Sequence, residues 1–167
     1  LLGLGQPEKA VGPLRQAVRL QPDYSLAYYD LSLAFFELKN YQEAETSARA
    51  ALRDDPDMAF QLSNLGLGAT DNLGLALMNQ GRMEEAAAGF AELAKGSGDR
   101  TAWRNLGVCL ERLGRPAEAV NALRKAPGSG DDRVPTLLLL GRCLLRLNEP
   151  LEALAAFTEC LASAPDS

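Results

Sequence analysis

Residues 103–126 read WRNLGVCLERLGRPAEAVNALRKA. Trp103, Leu106, Gly107 and Leu110 recur at i, i+3, i+4 and i+7, the spacing of one face of an α-helix. Gly114-Arg115-Pro116 breaks the run; glycine suits the close of one helix and proline the first turn of the next. Ala119, Leu123 and Ala126 then form a second stripe. Small residues at Gly107 and Ala119 let two helix backbones approach, where larger side chains would push them apart. The stretch predicts a helical hairpin.

The hairpin is repeated. Pro116-Ala117-Glu118-Ala119 aligns with Tyr41-Gln42-Glu43-Ala44, Met83-Glu84-Glu85-Ala86 and Pro150-Leu151-Glu152-Ala153, and Pro7-Glu8-Lys9-Ala10 precedes them. Leu106-Gly107 recurs as Leu73-Gly74 and Leu140-Gly141, with Leu31-Ser32 in the same frame. Pro22, Pro56 and Pro165 close units. A hairpin of this kind cannot bury its apolar face alone and gains stability by stacking on its neighbours.

Trp103-Leu106-Gly107-Leu110 with Ala119 and Leu123, and Leu137-Leu140-Gly141-Leu144 with Ala153, Phe157 and Pro165, resemble the tetratricopeptide repeat. Tyr28, Leu31, Phe35, Ala44 and Pro56 fit with serine at the glycine place. The resemblance covers essentially the whole chain. It implies an all-α fold: a right-handed superhelical array of antiparallel helical hairpins, residues 1–167 forming one array. Residues 1–24 are then the second half of a first repeat, and 25–58, 67–99, 100–133 and 134–167 are repeats two to five. Starting mid-hairpin and ending on a repeat's last proline, the chain reads as a section of a longer array.

Two departures stand out. Residues 59–66 are an insertion whose Ala59, Leu62 and Leu65 keep helical spacing. They are expected to lengthen the first helix of repeat three, with Gly66 and Gly68 as weak points and a bulged loop as the alternative. Gly96-Ser97-Gly98-Asp99-Arg100 and Gly128-Ser129-Gly130-Asp131-Asp132-Arg133 replace the terminal proline and read as helix stop, turn and N-cap. Neither carries the lysine of a phosphate-binding loop.

Composition narrows the chemistry. The 167 residues include no histidine, which removes the commonest general base and zinc ligand. Net charge is -5, a poor match to nucleic acid. Apolar runs such as Leu137 to Leu140 and Ala153 to Phe157 fall far below the roughly 18 residues of a membrane span. Cys109 and Cys143 share a repeat position with Ala34 and Ala76, and Cys160 with Ala17, Ala51 and Ala126, so all three read as small packing residues. Glu84-Glu85 is a solvated helix start. Asp54-Asp55-Pro56-Asp57 lacks the glycine and distal glutamate of a calcium loop. The reading is a non-catalytic chain with no cofactor or metal, expected in the cytoplasm.

Such arrays bind partners along the first helices of successive hairpins, and the residues outside the Leu-Gly stripe face that wall. In repeat two these are Leu26, Tyr29, Asp30, Leu33, Phe36 and Glu37; in repeat three Asp71, Asn72, Leu75, Met78 and Asn79. Repeat four gives Thr101, Arg104, Asn105, Val108, Glu111 and Arg112, and repeat five Leu138, Leu139, Arg142, Leu145 and Arg146. Tyr29, Leu33, Phe36, Leu75 and Met78 make an apolar stretch; Arg104, Arg112, Arg142 and Arg146 make a basic one, with pairing of Arg104 and Arg112 to Glu111 or neighbouring carboxylates as the alternative. Asn72 and Asn105 hold equivalent places, where an amide can both donate to and accept from a peptide bond. The expected partner is a protein segment with apolar anchors and acidic residues, not nucleic acid and not a membrane interior. Self-association through the terminal repeats, a structural-subunit role, and service as the substrate-selecting arm of an enzyme are the other readings.

Overall fold

The computed structural model describes residues 6–54, 68–126 and 133–163. These contain α1 (Pro7–Leu20), α2 (Ser25–Glu37), α3 (Tyr41–Asp54), α4 (Ala69–Asn79), α5 (Met83–Ser97), α6 (Arg100–Arg112), α7 (Pro116–Arg124), α8 (Arg133–Arg146) and α9 (Pro150–Ser163). The described residues contain no strand. The chain forms two compact units, Leu1–Gly89 and Phe90–Ser167.

One turn is used four times. Lys39, Gly81, Gly114 and Asn148 all take positive φ, between 59° and 79°. In each case the next N–H reaches back five residues: Asn40 to the Phe35 carbonyl, Arg82 to Leu77, Arg115 to Leu110 and Glu149 to Leu144, at 2.8–3.0 Å. This is the glycine-type helix stop, satisfying carbonyls the helix end would leave open. Gly114, which closes the first helix of the 103–126 hairpin, is therefore at a left-handed position, and Pro116 opens the next helix as the sequence predicts.

Within the first unit α1 packs on α2, α2 on α3, and α4 on both α3 and α2. Its core gathers Leu31, Phe35, Ala44 and Ala76, flanked by Val11, Leu14, Val18 and Tyr41. In the second unit α6 packs on α7, α7 on α8, α8 on α9, and α6 also touches α8. Ala10, Ala44, Ala86, Ala119 and Ala153, the aligned alanines, are all buried. Gly107 is a close contact between α6 and α7: a Cβ there would lie 2.6 Å from Leu123 Cδ2. Gly141 holds the same relation to the Phe157 ring.

The insertion, residues 59–66, lies outside the described residues, and the structure picks up again at Gly68, one of the two expected weak points. Gly68 is extended (φ -73°, ψ 149°) and α4 starts at Ala69, so this helix does not run back through 68. A residue with no Cβ and a poor helix propensity is a natural place to end it. Most of that expectation, including Gly66, lies outside the described residues, as do Pro56 and Pro165. The first glycine loop behaves as read: α5 runs to Ser97, Gly98 turns at φ 68°, and the Asp99 carboxylate accepts from Thr101 N–H at 2.8 Å. The second loop, 127–132, is outside the described residues.

Candidate functional site

The candidate residues divide between the units. Tyr29, Leu33, Phe36, Asn72, Leu75 and Met78 belong to the first, Arg104, Asn105, Arg112, Arg142 and Arg146 to the second. Each set lies on first helices of its hairpins: α2 and α4, then α6 and α8.

On α2 and α4 the apolar stretch is less open than its pattern suggests. Tyr29 is only 5% exposed and packs with Ala51 and Ala69. This corrects its reading as an exposed anchor; an aromatic beside two alanines has room to lie in the helix interface. Phe36 is half-buried, edge-on to Tyr41 with centroids 5.5 Å apart. Leu33, Leu75 and Met78 are half-buried, and Leu26 is open. Leu33 flanks the Tyr29 cluster.

Asn72 is also buried, and its Nδ2 donates to Ser32 Oγ at 3.3 Å, while that hydroxyl donates to the Tyr29 carbonyl at 2.7 Å. Much of its amide thus ties α4 to α2. The serine at the glycine place of repeat two is what receives it, a link invisible at the level of a consensus. Asn105 is likewise buried.

Acidic groups accompany the apolar ones. Burial, with Asp30 and Asp71 nearby, pushes the Tyr29 hydroxyl up to about 12. Burial also raises the Asp30 carboxyl above its ordinary value. The sequence frame places Asp30 and Asp71 on this wall, but the apolar-to-basic gradient passes over them. Their effect on Tyr29 depends on distances that only folding sets.

On α6 and α8 the arginines converge on one acid. Glu111, mostly buried, accepts from Arg142 at 3.2 Å and from Arg146 at 3.3 Å, and Arg146 also donates to the Glu111 carbonyl. Two guanidiniums around one carboxylate leave the spot net positive. Arg112 is exposed in the last turn of α6, where a cation complements the helix dipole. Arg104 is half-buried. Among the described residues no group of three His, Cys, Asp or Glu could hold a metal. Nor is any of their helices long and apolar enough to cross a membrane.

The tetratricopeptide-repeat family model matches residues 1–59 and 72–133, and a second model of the same repeat matches 136–167. The chain is a tetratricopeptide-repeat protein. Solved structures agree on the fold. MamA from Desulfovibrio magneticus RS-1 superposes with a TM-score of 0.82 over 96% of this chain and 87% of its own, at 21% identity. PilF of Pseudomonas aeruginosa gives 0.79 over 99% and 72%, at 22% identity. YrrB, a TPR protein with an unusual peptide-binding site, gives 0.80 over 99% and 82%, at 18% identity. Among curated proteins, the STIP1 homolog of Dictyostelium discoideum is 39% identical over 56 residues. That match is 34% of this chain and spans only 10% of the relative's length. The repeat makes this TPR chain a protein-interaction scaffold in type.

Proposed function

We propose that the TPR chain acts without catalysis, holding a segment of another protein against the first helices of its hairpins. The observation that carries this reading is the row of half-buried apolar side chains on α2 and α4: Leu33, Phe36, Leu75 and Met78 lie outside the Leu-Gly contact and remain partly open. Partly desolvated apolar groups of this kind gain most when a partner completes their burial. The α6–α8 face, with two arginines on Glu111 and Arg112 exposed, suits an acidic side chain. Its contribution is to orientation and association rate more than to affinity.

The test is capture of the natural partner from source-cell extract, followed by titration of the purified pair. Leu75→Ala with Met78→Ala should abolish binding at any salt concentration. Arg112→Ala with Arg146→Ala should weaken it chiefly in dilute buffer, since exposed charges are screened as salt rises. Parental affinity in both double variants would overturn the reading in favour of a structural-subunit role through other surfaces.

A further inference from the structure

The α2–α4 wall is acidic as well as apolar. Leu26, Asp30, Leu33 and Glu37 fall at i, i+4, i+7 and i+11 on α2, and Asp71, Leu75 and Met78 at i, i+4 and i+7 on α4. Each helix thus sets carboxylates and apolar side chains along one face. Neither helix contains a lysine or arginine, whereas α6 and α8 carry three arginines each. Residues 1–5 and 55–67, the part of this unit outside the described residues, contain none either. Arg49 and Arg82 are engaged on Glu45, and Arg15 lies over the Phe35 ring.

At one point the wall gathers acceptors. Tyr29 is 5% exposed, and its hydroxyl, shut off from solvent, has no hydrogen-bond partner. Asp71, which holds the place of Tyr29 in the next repeat, is buried, and Asp30 is half-buried. Burial first, and then the charges of Asp30 and Asp71, push the hydroxyl up to about 12, so both carboxylates stand near it. A carboxylate only accepts, and a phenol has one proton against its lone pairs. Asp30 also holds the repeat place of Asn72 and Asn105, where an amide can donate as well as accept. A buried polar group without a partner is costly, and a bound donor offsets that cost. Ammonium and guanidinium groups bring several donors and no acceptor. A metal ion is a poorer match, since calcium takes about six to eight oxygen ligands. Among the described residues no group of three His, Cys, Asp or Glu forms such a set.

We propose that the α2–α4 wall carries a subsite for a lysine or arginine side chain of the bound protein segment, seated on Asp30 beside the buried Tyr29 hydroxyl and Asp71. The subsite rests on the reading that this wall holds a partner segment. Asp30, partly open to solvent, takes the charge. The aliphatic stem lies along Leu26 and Leu33, one turn to either side, as long cationic side chains do on apolar surface. Charge complementarity selects the occupant: the wall has carboxylates and no cation of its own helices to answer them. The partner then carries a basic residue among the apolar anchors that meet α2 and α4.

The experiment is selection of a random phage-displayed peptide library on the purified chain, followed by titration of a selected peptide. Three proteins are compared: the parent, Asp30→Asn, and Glu84→Gln, a control that removes one exposed carboxylate of α5 and matches the net charge of the first variant. Peptides held by the parent and the control should be enriched in lysine or arginine beside apolar residues. Those held by Asp30→Asn should keep the apolar residues and lose the basic enrichment. A parent-selected peptide should bind Asp30→Asn about tenfold more weakly, with an unchanged helical spectrum of the protein. Changing the peptide's basic residue to glutamine should cause the same loss in the parent and no further loss in Asp30→Asn. Apolar peptides without basic enrichment in the parent overturn the subsite and leave the groove reading standing. Basic enrichment that survives in Asp30→Asn also overturns it, assigning the attraction to the net negative charge of the chain. A parent that retains no peptide overturns both.

Discussion

Arg82 donates through Nη1 to the Glu45 carboxylate at 2.6 Å, joining the start of α5 to the N-terminal part of α3. Glu45 is a buried acid at a place where later repeats carry Ala87, Val120 and Leu154. It is kept ionised by three donors: Arg82, Gln80 at 3.0 Å and Arg49 at 3.0 Å. Arg82, just before α5, also grips Glu85 in the first turn of that helix through two bonds of 2.7 Å. One guanidinium thus orients the turn between α4 and α5 against the preceding hairpin.

This arrangement sets a pH dependence. Burial raises the Glu45 carboxyl, but hydrogen bonds from Gln80, Arg82 and Arg49 outweigh it, and the net direction is down. A carboxyl held below its unfolded value adds stability that is complete above the ordinary carboxylate range and is lost as pH falls through the lower folded value. Thermal melts from neutral to about pH 3 should show an acid-side loss in the parent that Glu45→Gln flattens. Superimposable pH profiles would contradict the assignment.

Gly107→Leu should destabilise by about 1–3 kcal/mol, because the added side chain meets Leu123 in a contact already closed. Urea unfolding of parent and variant measures it. An unchanged midpoint would mean that the α6–α7 contact can open without cost.

Lys39 takes the left-handed conformation with a Cβ, at the place where Gly81 and Gly114 take it without one. Lys39→Gly should therefore stabilise the protein by roughly 0.5–1 kcal/mol, relieving that clash while the side chain's solvent-exposed position loses no packing. A lowered melting temperature would refute it.

Asp99→Ala removes the acceptor for the Thr101 N–H at the start of α6 and should cost about 1 kcal/mol. Asp99→Asn, which keeps an acceptor oxygen, should recover most of the loss, and equal losses in the two variants would argue against a capping role.

The thiols should be inert while the protein is folded. Burial pushes Cys109 up to about 11 and raises Cys143 as well, and all three cysteines are buried. A thiol-reactive chromophore at pH 8 should label the denaturant-unfolded chain promptly and the native chain only at the rate of unfolding. Rapid native labelling would mean a cysteine stands at an open surface.

The hairpin architecture was legible in residues 103–126 because helical spacing, helix stops and close-contact glycines are local, and repetition states them several times over. The aligned alanines Ala44, Ala86, Ala119 and Ala153, the Asp99 cap and the packing role of Cys109 and Cys143 all follow from register alone. Tertiary structure decided the rest. Whether Tyr29 is an open anchor or a core residue depends on the alanines that Ala51 and Ala69 bring beside it. Whether Asn72 is free for a peptide depends on the Ser32 hydroxyl, forty residues away. Arg142 and Arg146 share Glu111 because α8 packs against α6, a contact no periodicity encodes. Periodicity determines which face of a helix turns inward; only packing between helices determines how much of that face a neighbour then covers.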